Sequence, residues 1–170
     1  MRPEQARDLA AYNRWMNERL YGVCAELTDE QRRRDCGAFF KSIHGTLNHL
    51  VLTDQIWLGR FTGEPFHFES LGQELHHDFQ ELRAAREALD VRIAEWAESL
   101  IEDDLNATLR YTSAVRPGER KYEMWLAVTH FFNHQTHHRG QLTTLLSQFG
   151  KDVGVTDLVW LPQVLERNAG

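Results

Sequence analysis

Apolar side chains recur at spacings of three and four along four long stretches of this chain, a period that gathers them on one face only if the backbone is α-helical. The first stretch runs from about Glu4 to Leu27, after Pro3, a residue suited to a helix start. Its stripe is Leu9, Asn13, Met16, Leu20, Val23 and Leu27, with Asn13 the one polar member. The second runs from about Lys41 to Phe61, with Ser42 near its start and Gly63-Glu64-Pro65 beyond its end. One broad face carries Ile43, Leu47, Leu50, Val51, Trp57, Leu58 and Phe61; Leu52 and Ile56 lie on another side, together with His49. A helix that is apolar on two sides is either central or shared with a partner subunit. Symmetric dimers are the commonest oligomers, so a homodimer is expected.

The third stretch, about Gln73 to Leu100, repeats the pattern with Leu75, Phe79, Leu82, Leu89, Ile93, Trp96 and Leu100. The fourth runs from about Glu123 to Phe149 and stops at Gly150. Between them, Ala107–Ser113 is β-prone, and a turn over Arg116–Glu119 leads into Arg120-Lys121-Tyr122, the pattern of a small hairpin. Asp29–Gly37 reads as a connection, and Leu158–Glu166 as a short last helix with Pro162 in its first turn. These readings predict an all-α fold: one domain over residues 1–170, an antiparallel up-down-up-down four-helix bundle with a small hairpin before the fourth helix and a short C-terminal helix.

The formal charge of −6, with no basic stripe beyond Arg32, Arg33 and Arg34, argues against nucleic acid as a partner. No apolar run approaches the roughly 20 residues of a membrane span, so no membrane partner is expected. The N-terminus MRPEQARDLA is too polar for a signal peptide, and the two cysteines, Cys24 and Cys36, form no CxxC. The expectation is a cytoplasmic protein with free thiols.

Nine histidines are the unusual feature, and four of them fall in one run, His130-Phe-Phe-Asn-His134-Gln-Thr-His137-His138-Arg-Gly-Gln. At about 100° per residue, His134 and His138 are about 40° apart on the helical wheel. They share their half of the wheel with Ala127, Phe131, Leu142 and Leu145. Two imidazoles at i and i+4 can bind one ion without bending the helix. Burying both rings is costly unless their nitrogens are satisfied, and a metal does this well. A hydrogen-bonded pair of core histidines is the competing reading. His130 and His137 point further from the stripe and read as surface or outer-shell groups. A third ligand has to come from another helix, and spacing alone leaves His44 and His49 equal on the second. No HExxH is present, and Glu74-Leu-His-His77 lacks the mates of a di-iron site, so it reads as a polar face at the start of the third helix. Asp54 and Arg139 read as a pair that is either an outer-shell contact or an ordinary salt bridge.

The segments KSIHGTLNHLVLTDQIWL and HFFNHQTHHRGQL resemble the second and fourth helices of the DinB-like (damage-inducible) superfamily, and YNRWMNERL fits its opening helix. The resemblance implies a metal held by His49, His134 and His138, with His44 a bystander or outer-shell group. Three histidines leave a coordination position open, as catalytic sites do. Zinc suits such a set best, and nickel, iron or manganese also accept imidazole. The resemblance further implies a metal-dependent enzyme, a thiol S-transferase or a hydrolase. It would activate a water or a low-molecular-weight thiol cofactor for transfer to a small electrophile. The alternative is a non-catalytic metal-binding or stress-response protein. Neither the substrate nor any catalytic residue beyond the ligands is identified by these motifs.

Overall fold

The computed structural model describes residues 1–113 and 118–168. Its long helices are α1 (Pro3–Ala25), α3 (Ile43–Thr62), α4 (Phe79–Ser99) and α6 (Met124–Gln148). Short helices α2 (Asp29–Arg33), α5 (Glu102–Asn106) and α7 (Pro162–Arg167) fill connections and the C-terminal end. Strands β1 (Thr108–Thr112) and β2 (Glu119–Glu123) pair antiparallel, with Thr108 opposite Glu123, and form the expected hairpin. Arg116 and Pro117 of the expected turn lie outside the described residues, and Glu119 belongs to β2. Local signals set the helix ends. The Ser42 hydroxyl accepts from the Gly45 N–H and caps α3, and Gly63, at φ 77°, closes it. Pro162 opens α7.

The four long helices surround one core that includes Met16, Leu20, Leu47, Leu82, Ile93, Phe131 and Leu142. They pack in the cyclic order α1–α4–α3–α6, so α1 and α3 face each other across the diagonal. Side-chain partners fix the directions. Arg7 with Glu98, Asn17 with Asp90 and Tyr21 with Phe79 run α1 and α4 in opposite senses. Asp54 with Arg86 and Phe61 with Trp96 run α3 and α4 in the same sense. His49 with His138 and Trp57 with His130 make α3 and α6 opposed, whereas Asn13 with Arg139 and Glu26 with Lys151 make α1 and α6 parallel.

The order is therefore up-down-down-up, and the expected up-down-up-down order is corrected. The reason is the connection between α3 and α4. The third helix does not begin at Gln73 but at Phe79, where the Asp78 side chain accepts from the N–H groups of Gln80 and Glu81. The freed chain from Gly63 to Asp78 is long enough to return along α3, about 30 Å at 1.5 Å per residue, before α4 starts. It is fastened on the way. A Cβ on Gly59 would collide with the Glu64 carbonyl oxygen, so glycine there lets the chain turn back against α3. Near the other end, the Asn48 side chain accepts from the N–H groups of Leu75 and His76 (both 2.9 Å) and donates to the His76 carbonyl.

The second apolar side of α3 is used within one chain. Leu52 and Ile56 are buried there, so they supply no leftover face for a partner. No helix among the described residues is long and apolar enough to cross a membrane.

Candidate metal centre

Helix α3 contributes His49 and α6 contributes His134 and His138, and the antiparallel packing of these two helices brings the three rings together. Their potential ligand atoms lie within 4.8 Å of one another. The Nε2 atoms of His134 and His138 are 3.2 Å apart. Two nitrogens bound tetrahedrally at 2.0–2.1 Å from a zinc ion would be about 3.3 Å apart, so the spacing suits a shared ion.

Two rings are held by their far nitrogens. His49 Nδ1 donates to the Leu71 carbonyl at 2.9 Å, from the returning segment before α4. His138 Nδ1 lies 2.8 Å from Gln141 Oε1, one turn along α6, and Gln141 Nε2 in turn faces His137 Nε2 at 3.2 Å. A ring whose Nδ1–H is engaged presents the lone pair of Nε2, and such outer partners orient the ligand. Phe40 stacks on His49 with centroids 3.7 Å apart and meets the edge of His138 at 5.5 Å. The approach depends on Gly45, where a Cβ would strike the Phe40 carbonyl oxygen.

The electrostatics favour neutral rings. Burial lowers the pKa of His49 to about 4, with the His138 ring adding to the effect and the Leu71 hydrogen bond opposing it. Burial, reinforced by the neighbouring His138, His49, His130 and His137, lowers His134 to about 3. Burial also lowers His138, against the opposing bond to Gln141. At neutral pH the cluster offers lone pairs rather than charge, which is the state a metal requires. The cluster forms part of the wall of a cleft of about 950 Å³, lined also by Phe40, Arg33, Lys41 and Glu74.

The other sequence candidates separate cleanly. His44 is buried on α3 but turned towards the returning segment, with Nε2 3.0 Å from the His76 carbonyl and 3.1 Å from Glu74. It is a tether. Glu74 is not on α4; it bridges Arg33, His44 and His77 on that segment. His130 packs edge-on against Trp57 at 5.0 Å. The expected pairing of Asp54 with Arg139 does not form. Arg86 of α4 takes Asp54 at 2.5 Å, because its guanidinium sits between Asp54 and Asp90, while Arg139 donates to Asn13. Neither cysteine joins the cluster: Cys24 is buried with its thiol pushed up to about 12, and Cys36 lies on the α2–α3 connection.

Sequence reasoning missed Phe40 and Leu71. Leu71 contributes a backbone carbonyl, which no residue type announces. Gln141 was legible in principle, since i and i+3 are neighbours on a helix.

Residues 2–168 match the sequence model of the DinB family. The chain is also similar to Protein DinB of Bacillus subtilis (strain 168), with 28% identity over 156 residues and 88% of each chain covered.

Proposed function

This chain belongs to the DinB family, and on that premise we propose that it binds one divalent transition metal through His49, His134 and His138 and uses it as a metal-dependent enzyme. In this reading the chain is a four-helix bundle whose site transfers a water or a small thiol to a small electrophile. The observation that carries the proposal is the convergence of three neutral imidazoles with ligand atoms within 4.8 Å, two of them braced through Nδ1. Zinc fits the nitrogen donor set best, and nickel, iron and manganese are the competitors. When bound, such an ion lowers the pKa of a water or thiol beside it towards neutrality.

The protein's own residues do the rest. Leu71 and Gln141 keep two rings in the ligating tautomer. Phe40 covers one side of His49 and keeps water from that face. The cleft beside it, with the cations of Arg33 and Lys41 on its wall, admits a small molecule to the cluster.

The test is metal analysis of the purified protein reloaded with each ion, in wild type and His138→Ala. Near-stoichiometric metal in wild type and roughly tenfold or greater loss of affinity in the variant are expected. Equal metal in both would overturn the ligand assignment. With the loaded protein, turnover of an electrophile with water or with a low-molecular-weight thiol is expected. No turnover with any metal and nucleophile would leave a metal-binding protein without catalysis.

A further inference from the structure

On the side of the cluster away from Phe40, His49 and His134 also line a second, smaller cleft of about 290 Å³ between α3, the hairpin and α6. Its one built-in cation on α3 is Arg60. The guanidinium packs 4.5 Å from the Trp57 ring centroid and 4.0 Å from that of Tyr111. Arg60 is half-buried, yet among the described residues no carboxylate or carbonyl takes a hydrogen bond or ion pair from it. By contrast, buried Arg86 has two aspartates, Arg33 has Asp29 and Glu74, and Arg139, which has no carboxylate in reach among the described residues, donates to the Asn13 amide oxygen. A half-desolvated cation without a counter-ion is costly, and an incoming anion would relieve that cost. Burial accordingly lowers the Arg60 pKa from its usual value.

The shape of the cleft restricts the anion. Trp57, Tyr111, Tyr122 and His130 present aromatic surface around the guanidinium. A volume at the low end of ligand pockets admits a small molecule only. A guanidinium fork matches a carboxylate in bidentate fashion, and Arg120 of β2 lines the same cleft.

We propose that this second cleft seats the carboxylate of a small substrate with a planar apolar body, held by Arg60 and pressed against the His49–His134 wall of the cluster. The identity of the seated molecule as the substrate rests on the metal-site reading above; the binding itself does not. The cluster then stands between two clefts, the larger on the His138 side and the smaller on the Arg60 side, which gives a nucleophile and a carboxylate-bearing electrophile separate approaches to one point.

The experiment uses metal-free full-length protein titrated calorimetrically with benzoate and with benzamide, its uncharged counterpart of nearly the same shape. Wild type is expected to prefer benzoate by about tenfold or more, and Arg60→Gln to lose that preference. His138→Ala is expected to keep it, which separates this result from the fate of the metal site. Arg60→Lys keeps the charge without the fork and is expected to reduce the preference by about threefold or more, a second reading if Arg60→Gln does not fold. Equal binding of the two probes to wild type, no benzoate binding at millimolar concentration, or an unchanged preference in a folded Arg60 variant would each overturn the proposal.

Discussion

Helices α3 and α6 each carry two kinds of buried polar group, and the two sets are satisfied in opposite ways. His49 and His138 belong to one. Asp54, five residues beyond His49, and Arg139, next to His138, belong to the other. In the second set the charges answer each other. Arg86 sits between Asp54 (2.5 Å) and Asp90 (2.9 Å), and Asn13 and Asn17 donate to Asp90 at 3.1 and 3.0 Å. Arg139 closes the set through Asn13. Two arginines balance two aspartates, although Asp54 Oδ1, Arg86 Nε and Arg139 Nε take no hydrogen bond among the described residues, and the network ties α1, α3, α4 and α6 to one register. The histidine set is different. Its members are all lone-pair donors, they carry no opposite charge, and they face each other. The contrast teaches that burial and polarity alone do not mark a site. What marks it is a group of like functions whose ligand atoms converge on one point.

The largest expected effect breaks the charge-balanced set. Arg86→Ala leaves two aspartates facing one another in the core and should lower stability by about 3–5 kcal/mol, read as a shift of the urea midpoint. A loss below about 1 kcal/mol would show that the network is not holding the helices together. Removing Asp54 and Arg86 together for well-packed apolar residues should cost far less than Arg86→Ala alone.

The next effect sharpens the histidine side through pH. A histidine whose folded pKa lies below its unfolded value of about 6.5 binds fewer protons folded than unfolded. Stability is then fully present above pH 6.5. It declines as the pH falls towards about 4 for His49 and about 3 for His134. Allowing for the solvent that reaches these rings, metal-free protein should lose roughly 2 kcal/mol between pH 7 and 4 through this cluster. His49→Phe should flatten that part of the profile. An identical slope in wild type and variant would remove the cluster as its cause.

The smallest effect concerns the bracing. Gln141→Ala frees His138 Nδ1 without touching a proposed ligand. Metal affinity should fall by about tenfold, with the metal-free melting temperature nearly unchanged. Unaltered affinity would mean that the helix itself orients His138.

Reading the residues went furthest where information is local. The α3 cap at Ser42, the stop at Gly63 and the hairpin were legible because neighbours in sequence set them, whereas the last helix opens at Pro162 and not at the expected Leu158. The i, i+4 pair His134 and His138 was legible for the same reason. The choice of His49 over His44 was not. Both are on α3 and both are buried, and spacing left them equal until a family pattern favoured one. The start of α4 was misplaced because Leu75 continues the apolar spacing. The Asp78 cap, with Glu81 three residues on, was the better signal.

By itself, the sequence determined four amphipathic helices, a hairpin and an inward-facing histidine pair, since periodicity and capping act within a few residues. Tertiary structure alone decided the up-down-down-up order, the turning of His44 towards the returning segment and of His49 towards α6, and the capture of Arg86 rather than Arg139 by Asp54. Each of these depends on which helix lies beside which, and that is set by the path of the 63–78 connection. Its bonds from Leu71, Glu74 and His76 to α3 join residues far apart in the chain, where no local pattern reaches.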